Sequence, residues 1–375
     1  SGGLGRLYKV TSNSWESTGD GIALAFRIGA TLRDMEMVQF HPTGMVWPPG
    51  VKGLLVTESV RGEGGILLNA KGERFMLRYS PVKKELDARD VVARAIYNEI
   101  ENGNGTAHKA VYLDITNKGA AFIKKKLPAM YEQFKEFAGV DITKEKMEVA
   151  PTVHYFMGGI KVDAETCRTN VLGLYSCGEA AGGLHGANRL GGNSLADILV
   201  FGRRAGLDAA RYSESVELER ISMDEINREI SRMKSYLNED AASPYPLMEE
   251  LRETMSEKVG IMRNEKALRE ALNKITELKE RSKAIGVKGG IKFNQGFMTC
   301  FELDNMLTLA ECLVMSAIER KESRGAHTRS DYPKKDPNYK LNILCKLQNG
   351  NVVLDKEQIP EMPEYLKSIV KDEVY

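Results

Sequence analysis

The stretch HGANRLGGNSLADILVFGRRAG, residues 185–206, is the most informative part of this chain for its fold, because it joins a glycine-rich turn to an apolar helix. The glycines allow the backbone to approach a flat ligand closely. Asn193 or Ser194 is expected to cap the helix, whose unpaired amide groups and partial positive charge suit a carbonyl or an anion. Arg189 adds a guanidinium that can bind a carboxylate through two hydrogen bonds. A glycine turn that serves only tight helix–sheet packing is the alternative.

Outward from this stretch, changes in composition divide the chain into five segments. They predict an α/β domain interrupted by an inserted α+β unit, then a helical bundle domain and a small C-terminal region. The predicted segments are residues 1–38 and 153–212 for the α/β domain, 39–152 for the inserted unit, 213–330 for the helical domain and 331–375 for the C-terminal region.

Local patterns predict individual elements within these segments. Asp20 is expected to cap a helix over the apolar run IALAFRIGA, and Leu251, Met255 and Ile275 belong to helical core stripes. Three runs are expected to form strands: GLLVTES, AVYLDI and GGIKVD. Asn349-Gly350 is expected to be the turn of a hairpin.

Composition excludes several classes of function. The 53 Lys and Arg residues balance 52 Asp and Glu residues, so no net field favours nucleic acid or an anionic membrane surface. The five cysteines are far apart and form no CxxC pair, so neither a metal site nor an iron–sulfur cluster is predicted. No apolar run approaches the roughly 18 residues that cross a bilayer. We therefore expect a cytoplasmic protein whose membrane contact comes only through partner subunits.

The five histidines are scarce enough that their placement is informative. His41, His154, His185 and His327 each stand in a run dense in glycine, proline, threonine or arginine, whereas His108 does not. A single histidine near a turn usually makes a structural hydrogen bond. Four such sites together favour a functional interpretation.

Arg89 is the second unusual feature, because it is expected at the start of a helix, where the macrodipole opposes a cation. The stretch LLVTESVRGEGG places Thr57, Glu58 and Arg61 at the end of an expected strand. An anionic ligand would compensate the position of Arg89. A surface ion pair between Arg89 and the neighbouring aspartates, worth about 0 to 1 kcal/mol, is the alternative.

Seven motifs together resemble the flavoprotein subunit of succinate dehydrogenases and fumarate reductases. The resemblance runs from the first residues to about residue 333, with the motifs in the family's order. The motifs are GDGIALAFRIGA, MEMVQFHPTG, LLVTESVRGEGG, RDVVARA, HYFMGGI, GLYSCGEAAGGLHGANRLGGNSL and ESRGAHTRSDYP. The resemblance implies part of a Rossmann-like FAD-binding domain with an inserted capping domain. It also implies an enzyme that interconverts succinate and fumarate.

The resemblance also implies roles for residues that match the family's motifs. His41 and Thr57 would bind one substrate carboxylate, and His154 with Arg189 the other. Arg89 would donate and accept the proton, with Glu58 and Arg61 in a relay to solvent, while hydride moves to or from flavin N5. The residues implied to contact FAD are Asp20, Glu179, Asn193, Ser194 and Leu195.

The family's electron partners are also implied, since no cysteine set for a cluster occurs in the sequence. Electrons would leave through an iron–sulfur protein subunit, and attachment to the cytoplasmic face of the membrane would be indirect, through anchor subunits. The family's GxGxxG motif and its flavin-linked histidine do not occur here, so we expect about a third of the usual subunit to lie outside this sequence. Two alternatives are an L-aspartate oxidase, disfavoured by HGANRLGG and ESRGAHTR, and a non-catalytic fragment unable to hold FAD.

Overall fold

The computed structural model describes residues 2–217 and 221–369. Nine strands lie in these ranges and form two sheets. The strands are β1 Leu32–Arg33, β2 Val38–Met45, β3 Ile66–Leu68, β4 Val111–Asp114, β5 Met147–Phe156, β6 Gly159–Lys161, β7 Ala181–Gly182, β8 Leu341–Gln348 and β9 Asn351–Gln358.

Twelve α-helices lie in the described residues, and the longest are those after the 185–192 turn and in the helical region. They are α1 Asp20–Arg27, α2 Ser59–Gly62, α3 Met76–Tyr79, α4 Arg89–Glu99, α5 Ala120–Lys126, α6 Pro128–Ala138, α7 Asn193–Glu214, α8 Met223–Lys234, α9 Pro244–Lys258, α10 Glu265–Ser282, α11 Gln295–Glu319 and α12 Glu364–Lys367. This mixture of helices and two sheets confirms the predicted α/β fold with a helical region.

The two sheets meet through consecutive strands of the chain. One has the order β7-β6-β1-β8-β9, and the other has the order β2-β5-β4-β3. Strand β5 of the second sheet is separated from β6 of the first only by Met157 and Gly158. A Cβ at Gly158 would lie 2.2 Å from the carbonyl oxygen of Asp34, so the absence of a side chain permits this close crossing.

The hydrophobic core forms two main clusters. One cluster joins the N-terminal segment and residues 153–160 to α9, α10 and α11, and includes Leu251, Met255 and Ile275 as predicted. The other lies wholly within residues 45–149, inside the predicted inserted unit. The five-segment division itself stays a prediction, and Ser1, 218–220 and 370–375 of its ranges fall outside the described residues.

Both predicted side-chain caps, Asp20 for α1 and Asn193 or Ser194 for α7, are wrong. Helix α1 begins at Asp20 with Gly19 as its N-cap, at a left-handed φ of 78°. A Cβ at position 19 would lie 2.6 Å from Leu309, so glycine fits this position. Helix α7 begins at Asn193 with Gly192 as its N-cap, at a left-handed φ of 84°. Neither cap residue has a side chain that could occupy the helix start.

Two of the three expected strands form, and the third is wrong. AVYLDI contains β4 and GGIKVD contains β6, but GLLVTES forms only an isolated bridge between Leu55 and Gly44. The hairpin β8–β9 is confirmed, with φ of 50° at Asn349 and 78° at Gly350 in its turn. Both angles are those that a two-residue hairpin loop requires.

Candidate active site

A pair of histidines lies where β2 and β5 depart from regular pairing. His41 pairs with Thr152, and the register shifts between Gln39 and Phe40, opposite His154. Such bulges re-aim side chains. The rings of His41 and His154 pack edge to face with centroids 5.2 Å apart. Two histidines far apart in the sequence thus form one imidazole pair, as the carboxylate-binding hypothesis requires.

Each histidine is held through its Nδ1 atom. His41 Nδ1 lies 3.0 Å from the carbonyl oxygen of Thr43, and His154 Nδ1 lies 2.7 Å from Ser12 Oγ. Thr43 also bonds Val56 through both its carbonyl oxygen and its hydroxyl, which fixes the partly exposed Thr57 close to this strand end. Nearby backbone therefore positions His41 and Thr57, predicted to bind one carboxylate, and Ser12 positions His154, predicted to bind the other.

Arg89 is the first residue of α4, as predicted, and its guanidinium points away from the neighbouring aspartates. Its Nε donates to Glu58 Oε2 at 2.9 Å and its Nη1 donates to Gln39 Oε1 at 3.1 Å. Its side chain is only 11% exposed, so the alternative of a surface ion pair with the adjacent aspartates is wrong. The same Glu58 oxygen lies 3.9 Å from Arg61 Nη2.

Arg61 is buried beneath this pair. Its Nη1 donates to the carbonyl oxygen of Glu85 at 2.6 Å, while its Nε and Nη2 make no hydrogen bond within the described part of the chain. The Glu58 side chain is 47% exposed. Glu58, which is in contact with solvent, therefore lies within ion-pair distance of both the buried Arg61 and the largely buried Arg89.

Arg189 approaches from the glycine-rich turn. Its guanidinium lies over the Tyr155 ring, 4.3 Å from the centroid, and its Nη1 donates to Ser194 Oγ at 3.2 Å. The residue is 4% exposed, and its Nε is a buried donor without a partner in the described residues. The hydroxyl of Tyr155 donates to Asp197 at 3.3 Å. Neither Tyr155 nor Asp197 was predicted from the sequence, although Tyr155 directly follows His154.

The electrostatics of the cluster favour an anion. Burial, and then the charge of Arg89, holds the pKa of His41 well below its usual value and lowers the pKa of His154 to about 4. Burial also lowers the pKa of Arg61 to about 10 and lowers that of Arg189. Desolvated cations and unpaired donors are both compensated by a carboxylate ligand.

The residues predicted to contact FAD divide into two groups. Glu179 and the first turn of α7 lie near Arg189: burial raises the pKa of Glu179 to about 7, and its Oε1 accepts from the amide of Phe156 at 3.0 Å. Ser194 is partly exposed and Asn193 and Leu195 are exposed, at a helix start that no side chain caps. An external acceptor therefore has access to this turn, which fits a cofactor carbonyl.

Asp20 forms the second group, because both of its oxygens are engaged by protein donors. Thr18 Oγ1 lies 2.9 Å from Oδ2, and Asn305 Nδ2 lies 2.6 Å from Oδ1. The bond from Asn305 ties α1 to α11. The predicted FAD contact of Asp20 stays a prediction.

The remaining two histidines have different surroundings. His185 Nε2 lies 3.2 Å from Asp197 Oδ2, next to the Arg189 turn. His327 is fully buried, with Nδ1 2.9 Å from Arg263 Nη1 and Nε2 3.1 Å from the carbonyl oxygen of Arg320. His327 thus has a structural role, and the functional interpretation of its motif is wrong for this residue.

Known families match most of the chain. Residues 1–195 match the FAD binding domain model, and residues 248–366 match the model for the fumarate reductase flavoprotein C-terminal domain. Within the described residues, no helix combines the length and the apolar character that a membrane span requires.

Curated and solved relatives agree with these matches. The chain is 48% identical over 92% of its length to a protein of the fumarate reductase (CoM/CoB) of Methanothermobacter marburgensis. It is 41% identical over 94% of its length to the succinate dehydrogenase flavoprotein of Coxiella burnetii. It spans 62% of the length of each of these proteins.

The structure superimposes on that of E. coli quinol fumarate reductase with a TM-score of 0.90 at 36% identity, covering 96% of this chain and 65% of the E. coli chain. The likeness therefore extends across both matched domains and the residues between them. The chain belongs to the flavoprotein family of succinate dehydrogenases and fumarate reductases, with an FAD binding domain followed by the family's C-terminal domain.

Proposed function

We propose that this chain carries the dicarboxylate site of a flavoenzyme that interconverts succinate and fumarate. The observation that supports this most directly is the convergence of His41, His154, Arg89 and Arg189, from four separate segments, with donors that lack protein partners in the described residues. A small dianion is the ligand that such a cluster favours, because each carboxylate can neutralise a desolvated cation and accept its hydrogen bonds.

The two carboxylates of the substrate are assigned to opposite ends of the cluster. His41 and Thr57 bind one carboxylate from the β2 side. His154 and Arg189 bind the other, and the ring of Tyr155 holds the guanidinium of Arg189 in place. Such a clamp orients the double bond of fumarate between the two ends, and fixed orientation supplies a large part of a rate enhancement.

Arg89 is proposed as the proton donor to fumarate and as the acceptor from succinate. A guanidinium ordinarily keeps its proton, so an acid–base role requires an immediate partner that shares the charge. Glu58 lies at hydrogen-bonding distance from Arg89 and reaches solvent, and Arg61 supports the same carboxylate. Proton transfer then proceeds from solvent to Glu58, and from Glu58 to Arg89 as Arg89 protonates the substrate carbon.

FAD, when bound, supplies the hydride acceptor or donor at its N5 atom. Glu179 and the first turn of α7, with Asn193, Ser194 and Leu195, would hold it beside Arg189, and the open helix start would face a carbonyl of the flavin ring. Cations aimed at the substrate also stabilise the negative charge that develops beside a carboxylate during transfer. Asp20 would contact the cofactor farther from the substrate cluster.

Partner subunits complete the proposed enzyme. The curated relatives are themselves subunits of larger enzymes. We therefore propose the same kinds of partner for this chain: an iron–sulfur protein, and membrane-anchor proteins reached through it. The enzyme would then work at the cytoplasmic face of a membrane without a span in the described residues.

The proposal is tested with purified flavin-loaded enzyme. Succinate-dependent dye reduction and fumarate-dependent oxidation of reduced viologen are both expected, and both should be competitively inhibited by malonate. Aspartate-dependent peroxide formation without succinate turnover would instead indicate an L-aspartate oxidase. Absence of flavin bands in the visible spectrum, even after addition of FAD, would indicate a non-catalytic protein.

A further inference from the structure

The side-chain amide of Gln39 is buried at the centre of the candidate site, and both its oxygen and its nitrogen make hydrogen bonds. It lies in β2, is 1% exposed, and its Oε1 accepts from Arg89 Nη1 at 3.1 Å. Its Nε2 donates to the carbonyl oxygen of Arg189 at 2.7 Å and to Asn188 Oδ1 at 2.8 Å. One side chain thus contacts both arginine-bearing segments at once.

The orientation of this amide is fixed by its neighbours. If Oε1 and Nε2 exchanged places, the oxygen would face two other oxygens, those of Asn188 and Arg189, and the NH₂ group would face the guanidinium of Arg89. Both contacts would be repulsive, because a guanidinium has only donors and a carbonyl oxygen has only acceptors. Gln39 therefore presents an acceptor to Arg89 in one defined direction.

Asn188 continues the connection to the start of α4. Its Oδ1 accepts from Gln39, and its Nδ2 donates to Asp90 Oδ1 at 2.7 Å. Asp90 is the second residue of the helix that Arg89 begins. Gln39 and Asn188 therefore link the glycine-rich turn to two adjacent residues of α4. Gln39 contacts the side chain of Arg89, and Asn188 contacts the side chain of Asp90.

Glu58 alone would hold Arg89 loosely. The Glu58 side chain is 47% exposed, so its pair with Arg89 competes with water on one side. The bond from Gln39 is on the buried side and comes from a strand residue whose backbone pairs with Tyr155. The exposed Glu58 leaves the Arg89 guanidinium free to rotate, and the buried acceptor on Gln39 restricts this rotation.

We infer that Gln39, supported by Asn188, is a positioning residue that sets the direction of the Arg89 guanidinium relative to Arg189. The inference rests on the proposed function for its kinetic consequence, and on the hydrogen bonds alone for its structural consequence. Gln39 itself does not touch the reacting atoms and is not a proton carrier.

Gln39→Met in the holoenzyme tests this role, because methionine has a similar volume and offers Arg89 no comparable acceptor. We expect kcat to fall about 100-fold, the effect of a misplacement near 1 Å, with a malonate dissociation constant within about threefold of wild type. Gln133→Met is the matched control, since Gln133 donates to the carbonyl oxygen of Leu55 at 3.1 Å in the same unit and contacts neither arginine. A Gln39→Met enzyme with kcat near wild type overturns the inference, as does a loss confined to KM.

Gln39→Glu is the second variant and tests the chemistry of the contact if the methionine variant folds poorly. An ionised carboxylate still accepts from Arg89 but repels the oxygens of Asn188 and Arg189, whereas the protonated carboxyl can donate to one of them. We expect kcat to recover in part as pH falls, a recovery that wild type lacks. A pH profile parallel to wild type at full rate contradicts the positioning role.

A crystal structure of either variant separates this inference from the proposed function. A rotated Arg89 guanidinium is expected whether or not the enzyme turns over succinate. An unchanged guanidinium overturns the inference, while a wild-type holoenzyme without succinate or fumarate turnover contradicts the proposed function only.

Discussion

Arg89 Nε donates to Glu58 Oε2 across 2.9 Å, from the first turn of one helix to the residue that precedes another. The pair joins a largely buried cation to a carboxylate that reaches solvent. It explains why a cation is tolerated at a helix N-terminus, where the macrodipole opposes it. Substitutions at this pair and at the groups around it have distinct expected effects.

Arg89→Lys should strongly reduce turnover while leaving dicarboxylate binding largely intact. A lysine ammonium keeps the charge but lacks the planar fork that contacts Glu58 and Gln39 together. We expect kcat to fall by about 10²- to 10⁴-fold, the usual contribution of a positioned acid–base group. Steady-state kinetics with malonate titration provide the measurement. Arg78→Lys, at a 55% exposed surface position, is the matched control, and substantial residual activity in Arg89→Lys would remove the acid–base role.

Glu58→Gln should slow turnover without weakening substrate binding, because the amide cannot pass a proton between solvent and Arg89. We expect a decrease in kcat of about 100-fold. Because Glu58 is half exposed, the substitution removes little packing, and thermal unfolding of the variant checks that the fold is retained. Wild-type kcat in this variant would show that protons reach Arg89 by another route.

Arg189→Ala should weaken substrate binding before it affects anything else. Loss of a buried, hydrogen-bonded partner of a carboxylate typically costs about 2 kcal/mol or more of binding free energy. Titration of the flavin spectrum with malonate measures the change in dissociation constant. Arg269→Ala, at a position that is 63% exposed on α10, is the control. An unchanged affinity would show that Arg189 is wrongly placed.

His154 should make the ligand-free protein less stable in acid. Its pKa is lowered to about 4 in the folded state, against an ordinary value near 6.5, so between these values the unfolded state binds more protons. The free energy of unfolding therefore falls as pH decreases from 6.5 towards 4. At pH 5 this histidine lowers it by about 2 kcal/mol.

Urea unfolding at pH 7 and pH 5, for wild type and His154→Gln, isolates this effect. The comparison between variants is needed because Glu179, whose pKa is raised to about 7, changes stability with pH in the opposite sense. The pH 7 to pH 5 loss should be smaller in His154→Gln. An equal loss in both proteins would contradict the buried neutral state of His154.

Arg320→Ala should be among the most destabilising single changes in this chain. Its guanidinium is 1% exposed and contacts Glu36 at 2.6 Å, and also Asp34 and Glu322 at 3.2 Å each. Removing it leaves buried carboxylates without their cation, which typically costs about 3 to 5 kcal/mol of unfolding free energy.

Chemical denaturation measures this loss. Arg228→Ala, whose ion pair with Glu225 is 3.9 Å long and more than 70% exposed on both sides, should change the stability by about 0 to 1 kcal/mol. Similar losses in the two variants would show that the buried cluster contributes no more than a surface pair.

The secondary-structure elements and the residue types of the site could be predicted from local sequence patterns. Helical periodicity placed α4, α7 and the core stripes, and Asn349-Gly350 specified its hairpin turn, because these features depend on residues close together in the chain. The motifs around His41, Arg89, His154 and Arg189 indicated the family for the same reason: each is a local string.

Which of these residues meet depends on packing between distant segments. The bulge at His154 and the link from Gln39 to Arg89 and Arg189 join segments separated by about 50 to 150 positions, and no local pattern encodes such distances. Both helix caps are glycines instead of the predicted residues: at Gly19 a Cβ would lie 2.6 Å from Leu309, and at Gly192 the backbone has a left-handed φ of 84°. For the same reason His327, in an equally suggestive run, proved to be part of a buried ion cluster, because burial depends on packing between segments rather than on the sequence around one residue.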